Sequence, residues 1–198
     1  MMKIITDLFL TAFYTVFVQN LVFSSGLGMS EAFRVSTKPG SFGKIAAMIS
    51  GFSVVTSTFC ALVNFLAGKN ELSYALRAVI YGIVLVTVYA VVAVFAKLIF
   101  RASDKFLSTL GIAAFNTLVF AIPHINNSAA YSFAGSIGSG LGAGIAFVVA
   151  AALINKGSEL IKENEDIPEA FKGKPAMFIY VALISLAFAG FSDKNIFG

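Results

Sequence analysis

The sequence predicts an all-α polytopic membrane protein, with about six transmembrane helices in two inverted three-helix halves of a single membrane domain, 1–198. Three observations carry this: six apolar runs of spanning length, a scarcity of charge, and a lopsided placement of the basic residues. Hydrophobic residues make up 58% and charged residues 12% of the chain, with a mean hydropathy of +0.88. A soluble domain carries about a quarter charged residues, so lipid is the solvent this chain requires. The 21 Phe, 17 Gly and absent Trp place the aromatic mass on Phe and Tyr and leave Gly to bring helix backbones together.

Crossing a bilayer takes roughly 20 mostly apolar residues. By that ruler the runs fall near 4–24, 44–66, 78–98, 107–123, 132–154 and 175–191. The first lacks a small-residue cleavage pattern and reads as a retained helix. Turn formers separate the runs, as at Thr37-Lys38-Pro39-Gly40, Gly68-Lys69-Asn70-Glu71 and Asn126-Asn127-Ser128. The fourth run is short, interrupted by Asn116 and closed by Pro123, which reads as a broken or half-spanning helix.

Lys and Arg are retained on the cytoplasmic side of short loops. Arg34, Lys38, Lys44, Lys97, Arg101, Lys105, Lys156, Lys162, Lys172 and Lys174 mark the odd-numbered connections, against Lys3, Lys69, Arg77 and Lys194 on the other face. Both termini are therefore expected outside, and the three odd-numbered connections in the cytoplasm. The connection 155–174 mixes Lys with Glu159, Glu163, Glu165, Asp166 and Glu169, a composition that suits an amphipathic surface helix able to dock a soluble partner. The basic residues are too thinly spread among apolar runs for a nucleic-acid surface.

An odd number of spans per half inverts the second half, roughly 101–198, relative to the first, roughly 1–100. Asn20-Leu21-Val22-Phe23 has a faint echo in Asn116-Thr117-Leu118-Val119-Phe120. Amides inside a span face a partner or a wet cavity, so Asn20 and Asn116 are candidates for an ion path or for tying helices together. Asp7, Gln19 and Asn64 are further intramembrane polar residues, Asp7 close enough to an end to be solvated. Ser136, Gly138, Gly140, Gly142 and Gly144 form a small-residue face on which helices pack closely, within the chain or between subunits. His124 has no second His or Cys at ligand spacing and reads as a loop residue, while the single Cys60 reads as a small hydrophobe. No catalytic triad, carboxylate pair or phosphate loop stands out.

Several stretches together resemble the A subunit of the Rnf electron-transport complex and the E subunit of sodium-pumping NADH:quinone reductase (Nqr). Ile167-Pro168-Glu169-Ala170-Phe171-Lys172-Gly173 is similar to the family's V-P-x-x-F-R-G, and Ser185-Leu186-Ala187-Phe188-Ala189-Gly190-Phe191-Ser192 to its S-L-A-F-M-G-F-S. Asn20-Leu21-Val22 with Leu27-Gly28 resembles N-F-V-x-x-x-F-L-G. Val35-Ser36-Thr37-Lys38 resembles V-S-K-K, Leu110-Gly111-Ile112 matches L-G-I, and Cys60-Ala61 matches in the second span.

The resemblance implies six helices in inverted halves, a homologous six-helix partner of opposite topology, further complex subunits, and a 2Fe–2S cluster held by cysteines of both chains. Here the first family cysteine falls on Ser30, and the second on Ala121, or on Thr117 if a gap aligns Asn116 with the family's Asn. No cofactor is therefore expected on this chain alone, and the cluster stands only as what the resemblance implies. The expected function is an integral membrane subunit of an ion-translocating electron-transport complex. The alternatives are a cluster-free cation or small-solute transporter of the same fold, and a structural scaffold.

Overall fold

The computed structural model describes residues 2–36, 39–67 and 73–192. Among these every regular element is helical: α1 (Met2–Phe13), a π-helical turn (Tyr14–Val18), α2 (Leu21–Ser25), α3 (Met29–Ser36), α4 (Pro39–Ala67), α5 (Tyr74–Leu98), α6 (Asp104–Ala114), α7 (Thr117–Ser128), α8 (Phe133–Glu163) and α9 (Lys174–Ser192). Five helical stretches among the described residues are long and apolar enough to cross a membrane: Phe42–Ala67, Tyr74–Leu98, Asp104–Ser128, Phe133–Glu163 and Lys174–Phe191. The all-α membrane fold read from the sequence holds. The expected turns at Thr37–Lys38 and Gly68–Glu71, and Lys194, lie outside the described residues.

Side-chain caps set where the helices start. Ser73, Ser103 and Ser132 accept from the amides of Leu76, Phe106 and Gly135, each satisfying a donor that the first helical turn leaves orphaned. The first run is divided: Asn20 leaves the helix and starts α2, and Gly26, at φ +68°, ends α2 by donating to Val22 O while Leu27 N donates to Leu21 O. That pair of bonds needs a left-handed residue, which glycine supplies without steric cost.

Helix α8 is the central post, packed against α1, α3, α4 and α7 with α9 at its far end. Its Ala143, Ala146, Phe147, Ala150, Ala151 and Ile154 are all fully buried. Helices α5 and α9 are the opposite case, with only 17% and 11% of their apolar windows buried. Val79, Ile83, Val86, Phe178, Leu183 and Leu186 lie exposed on them. In water such faces would drive association; in a bilayer they meet acyl chains or a neighbouring subunit.

Three local expectations are corrected. Pro123 does not close the fourth run: it lies inside α7, which continues to Ser128 and takes in the expected turn at Asn126-Asn127-Ser128. A proline is tolerated within a membrane helix when neighbouring groups re-satisfy the freed backbone. His124 therefore sits on a helix, packed against the rings of Tyr74, Tyr81 and Phe120. The third correction concerns 155–174. No separate surface helix forms there; α8 runs on to Glu163 and is capped by Asn164. Ile154, Gly157 and Ile161 stay buried at helical spacing, and the Tyr180 hydroxyl donates to Leu153 O at 3.1 Å, so packing against α9 holds the extension in line with the span. At 1.5 Å per residue α8 is ~46 Å long, more than the ~30 Å hydrocarbon layer, so its charged end projects beyond it.

Candidate functional site

Two helix breaks, one in the first apolar run and one in the fourth, have the same local chemistry. At the first, Gln19 N reaches back to Tyr14 O at 2.8 Å, closing the π turn. The extended Asn20 then accepts from Val22 N at 3.2 Å and Phe23 N at 3.3 Å, and its Nδ2 donates to Val16 O at 3.1 Å. At the second, Asn116, also extended, separates α6 from α7 and accepts from Leu118 N at 2.9 Å. Both asparagines are buried, and both serve as helix caps.

No hydrogen bond joins Asn20 to Asn116. What meets the α7 start is the turn after α2: Gly28 N donates to Thr117 Oγ1 at 2.9 Å. Gly28 has φ +77°, and a Cβ there would stand 3.0 Å from Asn116 Oδ1 and 3.5 Å from the Phe147 ring. Asn116 stands midway along the spanning stretch Asp104–Ser128, which puts this break near mid-bilayer depth. Irregular backbone and hydroxyls thus collect at that depth, and Ser24, Ser25, Gly26, Ser30 and Thr117 are exposed on the outside of the chain.

A second polar group lies at the opposite end of α7. Arg77, only 4% exposed, donates through Nη1 to Asn64 Oδ1 at 3.0 Å and to Asn127 Oδ1, and the Tyr81 hydroxyl donates to Asn64 Oδ1 at 2.7 Å. Beside it Ser57 Oγ donates to Ser136 O at 2.6 Å, and Asn126 Nδ2 donates to Ser57 Oγ at 2.8 Å. Asn126 Nδ2 also donates to Ser136 O at 3.4 Å; these two acceptors fix the orientation of the Asn126 amide, and its Oδ1 is left buried without a partner. Asn64, Asn126, Asn127, Tyr131, Ser132 and Ser136 line a cavity of about 290 Å³ here. Ser53 Oγ and Thr56 Oγ1, also buried and unpartnered, continue the polar seam along α4.

Sequence reading missed this group. Arg77 looked like a loop charge, and Asn126 and Asn127 like turn formers. The available signal was that polar residues recur at the same end of the second, third and fourth runs. Asp7, expected at a solvated helix end, is half-buried and accepts from Ser132 Oγ.

The small-residue face of α8 is shared between two neighbours. An added Cβ at Gly138 would run into the Leu8 carbonyl, and one at Gly142 would stand 2.5 Å from Ala12 O, both on α1. At Gly140 it would lie 2.9 Å from Ser53 O, and at Gly144 2.6 Å from Ser50 Cβ, both on α4. Ser136 is buried on the same helix, its carbonyl accepting from Ser57.

The model of the family described as "Rnf-Nqr subunit, membrane protein" matches residues 8–193. The chain belongs to the Rnf-Nqr subunit family. It is 30% identical to the E subunit of the Na(+)-translocating NADH-quinone reductase of Hahella chejuensis, over 91% of this chain and 94% of the relative. It is 28% identical to the A subunit of the ion-translocating oxidoreductase complex of Psychromonas ingrahamii, over 94% and 97%. A third relative, the E subunit of the same type of reductase in a Psychrobacter species, is 28% identical over 96% and 98%.

The donor set of this Rnf-Nqr chain does not fit a thiolate-held iron–sulfur cluster. Thr117 presents a hydroxyl already engaged by the Gly28 amide, Ser30 presents another, and Ala121 has only a methyl group. Iron in such clusters is held by thiolates. Cys60, the single cysteine, is 1% exposed within α4, a turn from Asn64 and away from the Gly28 turn. Among the described residues no three His, Cys, Asp or Glu side chains gather as a metal-binding group.

Proposed function

We propose that this chain is an integral membrane subunit of an ion-translocating electron-transport complex of the Rnf or Nqr type. In this role it is paired with a homologous six-helix subunit of opposite topology and joined by further subunits. The observation that carries the reading is the uncovered break near mid-bilayer. Lipid-exposed irregular backbone does not persist in hydrocarbon, because unpaired polar groups there cost several kcal/mol each. The exposed Gly26 turn, with Ser30 and Thr117, calls for a protein surface over it. The relatives named as subunits of such complexes support the same reading.

The matched breaks at Asn20 and Asn116 support two inverted halves, and the placement of the basic residues supports both termini outside a cytoplasmic membrane. In this complex the chain's own residues hold the breaks open and present hydroxyls at the contact. Thiolate ligation falls to other chains.

A second reading, a cation path through the chain itself, draws on the buried, unpartnered oxygens of Asn126, Thr56 and Ser53 beside the 290 Å³ cavity. One experiment separates the two: purification of the chain from its native membrane in mild detergent. The first reading expects stoichiometric co-purification with flavin- or iron–sulfur-bearing subunits and a matching visible spectrum. A lone, colourless chain that binds a cation without any redox partner would overturn it in favour of the second.

A further inference from the structure

The end of the molecule that carries Arg34, Lys44 and Lys105 holds a cavity of about 610 Å³ between α3, α4 and α6. Lys44 and Lys105 enter it from different helices, and neither has a carboxylate within ion-pair distance among the described residues. The nearby acids are already engaged: Glu31 with Arg34 at 2.6 Å, and Asp104 with Lys97 at 2.7 Å. Ser103 and Thr109 add hydroxyls to the lining, and the N-terminal end of α6 adds its partial positive charge.

This basic cavity does not end in water on every side. Ser103 and Phe106 also line a second cavity, of about 660 Å³, whose remaining lining is almost entirely apolar and includes Val91, Phe95, Phe100 and Leu110. That groove runs along α5, a helix with only 17% of its apolar window buried, and so lies open to acyl chains. A cationic recess at a membrane-facing end thus opens, across two shared residues, into an apolar groove of about 660 Å³.

We infer that the paired cavities bind one anionic phospholipid, its headgroup phosphate held by Lys44 and Lys105 and an acyl chain lying in the α5–α6 groove. A free phosphate has the same anionic chemistry but uses only the basic half, and leaves the adjoining apolar groove without a role. This inference is independent of the subunit function proposed above.

The test is native mass spectrometry of the full-length purified protein, titrated with phosphatidylglycerol or with phosphatidylcholine. Each lysine beside a membrane surface contributes enough that losing both weakens binding roughly 30-fold. The double variant Lys44→Gln/Lys105→Gln is expected to lose phosphatidylglycerol by about that factor, and phosphatidylcholine, whose choline offsets the phosphate charge, by clearly less. Lys162→Gln/Lys172→Gln, which removes equal charge elsewhere, is expected to retain it. Ala102→Phe, which fills the groove beside Ser103 and leaves the lysines intact, is expected to lose it too. Retention by the first variant, an equal loss in the Lys162/Lys172 control, full retention by Ala102→Phe, or displacement of the lipid by 10 mM inorganic phosphate would each overturn the assignment.

Discussion

Gly138→Leu is expected to abolish the folded chain in detergent extracts. The obstacle is backbone: even a single added carbon at this position meets the Leu8 carbonyl, and a carbonyl in the middle of α1 has no rotamer by which to withdraw. Helix α1 would have to move off α8 as a unit, carrying Ala12, which lies against Gly142, and with it Thr15 of the following π turn, whose Cβ would stand 2.8 Å from a carbon added at that glycine. Overpacking a core typically costs about 1–3 kcal/mol and more when no side chain can give way, so a leucine here exceeds that range. Gly51→Ala is the matched control, because nothing lies within 4 Å of its added carbon and alanine favours a helix by about 1 kcal/mol. Size-exclusion profiles with thermal midpoints decide the matter. A Gly138→Leu protein that elutes and melts like the parent would refute the α1–α8 packing described here.

Asn20→Leu is the second large effect, with an expected loss of about 3–5 kcal/mol. The wild-type amide makes three bonds at full burial, two from the α2 amides and one to Val16 O. Leucine removes all three and leaves the Val22 and Phe23 amides unpaired in a medium without water, at about 1–3 kcal/mol for each orphaned donor. Asn20→Ser keeps a capping oxygen and is expected to recover most of the loss, since serine is among the preferred caps. Differential scanning of the two proteins in the same detergent gives the comparison. Equal midpoints for serine and leucine would mean that side-chain volume, and not the cap, decides this position.

The features legible in sequence were those set by local or compositional physics. Apolar run length gave five of the spans, the first run being divided into shorter helices, and the four-residue glycine spacing picked out the helix that packs most tightly. The two asparagines at 20 and 116 stood out because an amide is conspicuous in an apolar run. What stayed hidden depended on tertiary partners. Arg77 is received by Asn64 and Asn127 from two other helices, and no local pattern announces that. Pro123 reads as a terminator by its missing amide, yet its helix continues. The α8 extension looked amphipathic from its charges, while Gly157 beneath the Tyr180 ring is what keeps it in register with α9.

Thr117 meets the turn carrying Gly28, two residues before Ser30, whereas Ala121 lies a full turn further along α7. The turn carrying Gly28 and the start of α7 at Thr117 are thus brought to one place.

The central claim is that the break around Gly28 and Thr117 lies at mid-bilayer depth and is covered by another subunit. It is tested most directly by labelling Thr117→Cys, in a Cys60→Ala background, with a membrane-impermeant maleimide. In sealed native membrane vesicles of either orientation the thiol is predicted to resist labelling, and after the chain is separated from its partners in detergent it is predicted to react. Rapid labelling from one aqueous face of intact vesicles would contradict the account.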